Sequence, residues 1–165
     1  MRATSTTRKT KRGYNSQTNA KAIKSKGNIF KSGLELDMND ALLAAGIKFS
    51  YEGQKFVIDE GFKYNGESYE KFMNGKGDFE DRGKKTFKDS VYTPDFTNPT
   101  SETLEWVIET KGRAMPDFSR TWRLFKKKLI KLDHGVLLFV PRNKKDCKQV
   151  IEILKSKGYG QEQSQ

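Results

Sequence analysis

The chain has 165 residues, a formal net charge of +11, 34% hydrophobic residues, one cysteine and one histidine. That length suits one domain with disordered ends, and the excess of positive charge favours a polyanionic partner, nucleic acid above all, over a membrane surface. The sequence lacks a run of about 18 apolar residues or the apolar core of a signal peptide, which argues against a membrane partner, and the lone Cys147 excludes an internal disulfide, argues against structural zinc and fits a reducing, cytoplasmic compartment.

Residues 1 to 27 carry eight Lys or Arg and no acid, leaving +3 for residues 28 to 165. This stretch is expected to be a disordered basic arm. Unmixed positive charge suits phosphate contact, with Arg8, Lys9, Lys11 and Arg12 its densest group; the plainer alternative is a solubilising tail.

The spacing of Leu34, Met38, Ala41 and Ala45 predicts a helix over residues 33 to 45, with Ser32 as N-cap and Gly46 as its stop. Ser32-Gly33-Leu34-Glu35 matches a capping box, in which Glu35 only closes the helix start; a catalytic role for Glu35 is the competing reading. Asp37 and Asp40 read as first-turn acids favoured by the helix dipole. Strand signals run from Ile47 to Ile58, broken at Gly53. Residues 59 to 90 read as a polar insertion of turns and exposed loops, with Tyr64, Tyr69, Phe72 and Phe79 anchoring a short hairpin.

Tyr92-Thr93-Pro94-Asp95-Phe96 sets an aspartate behind a proline. Leu104 to Glu109 then reads as a strand, with Leu104, Trp106 and Ile108 on one face and Glu109 and Lys111 on the other. Two carboxylates at a sheet edge are costly unless a cation joins them. Mg²⁺ suits such oxygen donors: held by Asp95 and Glu109 it would polarise a phosphodiester and acidify a bound water, with Lys111 orienting that water or holding developing charge. The plain alternative is a Glu-Lys pair beside an Asp turn.

Residues 117 to 132 show the strongest helical pattern, with Phe118, Trp122, Phe125, Leu129 and Leu132 in one stripe. Arg120, Arg123, Lys127 and Lys131 fall nearly opposite, as either a solvated face or a DNA-backbone contact. His134 reads as a loop residue rather than a catalytic base. Val136 to Val140 is expected as a buried strand, and residues 144 to 157 as a last helix that turns Cys147, Val150, Ile151 and Leu154 inward and ends at Gly158, before a short tail from 159 to 165. The order implies an α/β fold, a mixed central sheet flanked by helices, in which the helix over 117 to 132 crosses between two parallel strands.

Ser32-Gly33-Leu34-Glu35, Ala45-Gly46-Ile47-Lys48-Phe49-Ser50-Tyr51-Glu52, Tyr92-Thr93-Pro94-Asp95-Phe96 and Glu109-Thr110-Lys111-Gly112, in that order, resemble the bacteriophage endonuclease I family of Holliday-junction-resolving enzymes, within the wider PD-(D/E)xK nuclease superfamily. The resemblance covers about residues 29 to 140. It implies a restriction-endonuclease-like nuclease domain over 28 to 158, with Mg²⁺ as cofactor and Mn²⁺ able to substitute. Asp95 and Glu109 would be the main metal ligands, helped by Glu35 and the Thr110 carbonyl, and Lys111 the catalytic lysine. It also implies branched or duplex DNA as partner and a homodimer that exchanges segments. The stretch from 59 to 90 and the 14-residue spacing from Asp95 to Glu109 are longer than that family suggests. The alternatives are a sequence-specific or nicking relative and a non-catalytic DNA-binding protein.

Overall fold

The computed structural model describes residues 23–25, 28–72, 75–113, 116–132 and 135–160. Arg8, Lys9, Lys11, Arg12 and His134 lie outside the described residues.

The first described elements are two short paired strands, β1 (Ile23–Ser25) and β2 (Asn28–Phe30), followed by helix α1 (Gly33–Ala44). Ser32 caps α1 as its sequence predicts, its hydroxyl accepting from the Glu35 amide, and Gly46 ends it at φ +68°, a left-handed conformation that glycine adopts without strain. Met38 and Leu42 are fully buried on the inner face.

Next come β3 (Ser50–Tyr51), β4 (Phe56–Asp59), β5 (Phe62–Tyr64) and β6 (Tyr69–Glu70), then β7 (Glu80–Asp81), β8 (Lys85–Phe87), β9 (Ser90–Tyr92) and β10 (Phe96–Thr97). Their registers nest: Tyr69 faces Asp81, Phe62 faces Phe87, Phe56 faces Tyr92 and Tyr51 faces Phe96. Residues 50–72 and 75–97 therefore form the two arms of one long antiparallel hairpin, interrupted by an irregularity at Val57/Asp59 and by the left-handed backbone at Glu52. The expected polar insertion is the outer part of this hairpin. The strands cross so closely there that a side chain at Gly83 would sit 2.0 Å from the Gly66 carbonyl oxygen.

The hairpin's base joins β11 (Trp106–Ile108) and β12 (Leu137–Phe139) in a four-stranded mixed sheet, ordered β12-β11-β10-β3. Strands β11 and β12 are parallel, and α2 (Phe118–Leu129) crosses between them as the element order predicts. Helix α3 (Lys144–Ser156), capped by Asn143, follows. Phe96, Trp106 and Ile108 face Met38 and Leu42 of α1 and Cys147, Val150 and Leu154 of α3. Val107 and Tyr92 face Phe125 and Leu129 of α2 on the other side. The domain is thus a mixed α/β fold with helices on both faces of the sheet. Cys147 is a buried core residue, and burial pushes its thiol up to about 11.

Several expectations need correction. Leu104 precedes the strand and packs with Val107 and Phe125, on the face opposite Trp106 and Ile108, because alternation begins only at Trp106. Leu132 lies beyond the end of α2 and is exposed. Strand β12 is half-buried rather than buried, because it forms an edge of the sheet. The short hairpin expected around Tyr64, Tyr69, Phe72 and Phe79 is present, with Tyr64 facing Lys85, Tyr69 facing Asp81 and the Tyr69 and Phe79 rings stacked, and all four side chains are exposed. Tyr159, placed in the tail by the sequence, folds back through its amide to the Leu154 carbonyl and packs against the core of α1 and α3.

Candidate functional site

Asp95 and Glu109 meet where the hairpin's base joins β11. Phe96 pairs with Ile108, so Asp95 just before β10 lies beside Glu109 just after β11. Both carboxylates are buried, with exposures of 8% and 4%. Glu109 is held against the neighbouring strand β12: its amide donates to the Phe139 carbonyl at 2.9 Å, and the Lys111 amide donates to the Pro141 carbonyl at 3.0 Å. The alternation read from the sequence therefore holds here, with Trp106 and Ile108 toward α1 and α3, and Val107 and Glu109 toward α2.

Each carboxylate has a defined set of donors. Glu109 Oε2 accepts from the Tyr92 hydroxyl at 2.6 Å and from the Asp95 amide at 3.3 Å. Glu109 Oε1 lies 2.6 Å from Lys111 Nζ. Asp95 Oδ2 accepts from both the amide and the hydroxyl of Thr110, each at 2.7 Å. Thr110 thus reaches Asp95 through two donors. The Lys111 ammonium is also 5.3 Å from the centre of the Phe118 ring, at the start of α2.

Burial, and then the neighbouring Glu109, push the Asp95 carboxyl up to about 7, although the two Thr110 donors pull the other way. Burial first, and then Glu109, also hold the Tyr92 phenol far above its ordinary value, so Tyr92 remains a donor at neutral pH.

Glu35 sits apart from this pair. Its Oε2 accepts from the Lys31 amide at 2.8 Å and from the Tyr51 hydroxyl at 2.6 Å, and its Oε1 accepts from the Ser32 hydroxyl at 2.9 Å. The helix start therefore uses Glu35, through the residue before the N-cap as well as the cap itself. The Tyr51 ring packs on Phe30 and Phe96, on the α1 side of the sheet, whereas Tyr92 and Glu109 lie on the α2 side. Glu35 is still close enough for its charge to contribute to raising Asp95, as the smallest of the causes. Among the described residues, no group of three or more His, Cys, Asp or Glu side chains converges as a ready-made metal site. The donors that do meet are two carboxylates, an oxygen set suited to Mg²⁺, and their burial beside one ammonium leaves a demand for further positive charge.

Three neighbours had no assigned role in the sequence. Tyr92 and Tyr51 are the donors to Glu109 and Glu35, joined across 17 and 16 positions. Glu52 lies in the strand break read at Gly53, with φ 47°, and its amide donates to the Asp95 carbonyl at 2.9 Å. Its carboxylate pairs with Lys31, whose ammonium is raised first by that hydrogen bond and also by the charges of Glu35 and Asp95. A non-glycine residue in this conformation is the one local signal, and it is visible only in the structure.

Arg120, Arg123, Lys127 and Lys131 are all exposed, with Lys131 just past the end of α2. Lys126, Lys127 and Lys128 sit in the last turn of α2, where they also complement the helix dipole. Among the described residues, no helix is long and apolar enough to cross a membrane. No family model matches this chain, and neither a curated protein nor a solved structure does.

Proposed function

We propose that this protein is a Mg²⁺-dependent endonuclease that hydrolyses phosphodiester bonds in branched DNA, built on a restriction-endonuclease-like domain. The observation that carries the reading is the meeting of buried Asp95 and Glu109 with the Lys111 ammonium in contact with Glu109. Asp95 and Glu109 would hold the metal, with the Thr110 carbonyl as a further donor, and Glu35, which sits apart from the pair, would act there through its charge. Bound there, Mg²⁺ supplies positive charge to the phosphate and lowers the pKa of a coordinated water.

The chain's own residues do the rest. Thr110 fixes one Asp95 oxygen through two donors, which sets how that carboxylate is presented. Tyr92, held protonated, fixes one oxygen of Glu109 in the same way. Lys111, in contact with Glu109, would orient the attacking water or hold charge developing on the phosphate. The exposed Arg120, Arg123, Lys127 and Lys131, together with the basic arm, supply phosphate contacts and a strong salt dependence of binding. Symmetric cleavage of two strands calls for two such sites, hence a homodimer.

The test is cleavage of a four-way junction and of a matched linear duplex, each with Mg²⁺ and with EDTA, by the native chain and by Asp95→Asn. The expected result is Mg²⁺-dependent cutting of the junction in preference to the duplex, lost in Asp95→Asn. Equal cutting of both substrates removes the preference for branches. Cutting that survives in Asp95→Asn removes the metal assignment. Binding of both substrates without cutting makes the chain a DNA-binding module.

A further inference from the structure

The outer hairpin carries chemistry that the Asp95–Glu109 site does not use. Among the described residues, strands β5 and β8 pair only with each other, as do β6 and β7, and neither pair joins the four-stranded sheet. An isolated two-stranded ribbon is marginal in water, and its apolar side chains normally cover a core. Here they do not. Phe62 is 58% exposed, Phe72 59% and Phe87 42%.

These rings are ordered against one another and against cations. Phe62 and Phe87 face each other across the ribbon and stack, with centroids 4.8 Å apart and planes 20° apart. Tyr64 projects on the same face as Phe62, opposite Lys85. The Arg82 guanidinium lies 4.7 Å from the centre of the Phe72 ring, and the Lys85 ammonium 5.3 Å from that of Phe87. Together they line a groove of about 530 Å³ whose charged residues are Lys71, Arg82, Lys85 and Glu70. Three cations against one acid give the groove a positive balance, although the segment from 59 to 90 as a whole contains eight acids and seven bases. The positive charge is concentrated where the aromatic rings are.

We infer that this groove is a stacking site for unpaired nucleotides of a single-stranded nucleic-acid segment. Flat aromatic faces beside cations are what single-strand binding requires: bases stack on the rings while the cations meet the phosphates, without reading a sequence. A paired duplex keeps its bases stacked internally and cannot offer them to the rings. A protein partner or a second copy of the chain would meet the same rings, but the cations over the ring faces favour an anionic, aromatic ligand. The ribbon is also continuous with the site. Strand β9 leads from β8 directly to Tyr92 and then Asp95, so a strand held on the ribbon is tethered to the hairpin that carries the carboxylates. The inference rests on the nuclease reading for its choice of a nucleic-acid ligand.

The experiment is fluorescence-anisotropy binding of a labelled oligothymidylate and of a matched duplex to the full chain in EDTA, at several salt concentrations. Phe72→Ala, Phe72→Trp and Arg82→Ala are compared with the native protein, with sedimentation to report the oligomeric state and Mg²⁺-dependent cleavage assayed separately. Phe72 is exposed, so its truncation leaves the fold intact, which circular dichroism checks. Phe72→Ala is expected to weaken oligothymidylate binding about ten-fold with little change for duplex, and Phe72→Trp to restore it. If the native chain cuts no DNA but shows this ring-dependent binding, the stacking site stands and the nuclease reading falls. If it cuts DNA while Phe72→Ala binds oligothymidylate like the native chain, the stacking site is overturned and the nuclease reading stands. Loss of a dimer in Phe72→Ala with unchanged oligothymidylate binding also overturns it, and assigns the rings to a second copy.

Discussion

Replacing Asp95 by Asn should change how stability depends on pH, independently of any effect on cleavage. Asp95 is buried beside Glu109, and its carboxyl titrates at about 7 in the fold. Its value in the unfolded chain is the ordinary one, about 4. The folded state therefore holds a proton that the unfolded state has released across this interval. The contribution of that proton is complete below pH ~4 and is lost as the pH climbs to about 7. One proton corresponds to about 1.4 kcal/mol per pH unit, so from pH 5 to 7 the native protein should lose about 2 kcal/mol that Asp95→Asn does not. The asparagine carbonyl can still accept from the Thr110 amide and hydroxyl, which keeps the local structure. Urea unfolding of both proteins in EDTA at pH 5, 6, 7 and 8 measures the difference, in which all shared titrations cancel. Adding Mg²⁺ at ten times its dissociation constant at pH 8 should return about 1.4 kcal/mol to the native chain and nothing to the variant. A stability difference that is constant between pH 5 and 8 would refute the account of two buried carboxylates straining against each other.

Tyr92→Phe removes the donor to Glu109 Oε2 without changing the packing of the ring on Phe125, and should cost about 1–2 kcal/mol in urea unfolding. Glu35→Gln keeps one acceptor but turns an amide toward the Ser32 or Tyr51 hydroxyl; a loss of about 1 kcal/mol is expected, together with loss of cleavage, and near-normal cleavage would confine Glu35 to the helix start. Lys111→Met keeps the aliphatic length but removes the ammonium beside Glu109; the rate of cleavage at saturating DNA should fall at least about 100-fold, with binding little changed.

The sequence discloses the features that depend on neighbours along the chain. Ser32 and Gly46 mark the ends of α1, because a cap hydroxyl and a left-handed backbone are local requirements. The parallel pairing of β11 and β12 follows from a helix lying between two apolar strands. Pairing of Asp95 with Glu109 follows from alternation once the strands are adjacent. What escapes is set by contacts across the chain or by element ends. Tyr92 and Tyr51 look like ordinary strand aromatics until the register places them on Glu109 and Glu35. Leu104 and Leu132 continue an apolar pattern past the point where the strand begins or the helix stops. The aromatics from Phe62 to Phe87 belong to the hairpin read from the sequence, but which rings meet across it is set by the register, as in the Phe62–Phe87 stack, and is not written locally.

The nested registers of the long hairpin bear on how quickly the sheet can assemble. Tyr51 and Phe96 must meet across 45 positions, and closing so long a loop from a random chain would slow folding. The pairs Tyr69–Asp81, Phe62–Phe87 and Phe56–Tyr92 divide that closure into short steps. Each pairing brings the next within a few residues, so the ribbon can zip from its tip toward its base before β11 docks. Shortening the ribbon should then leave the folding rate nearly unchanged, whereas breaking its pairing midway, with proline at Thr86, should slow it.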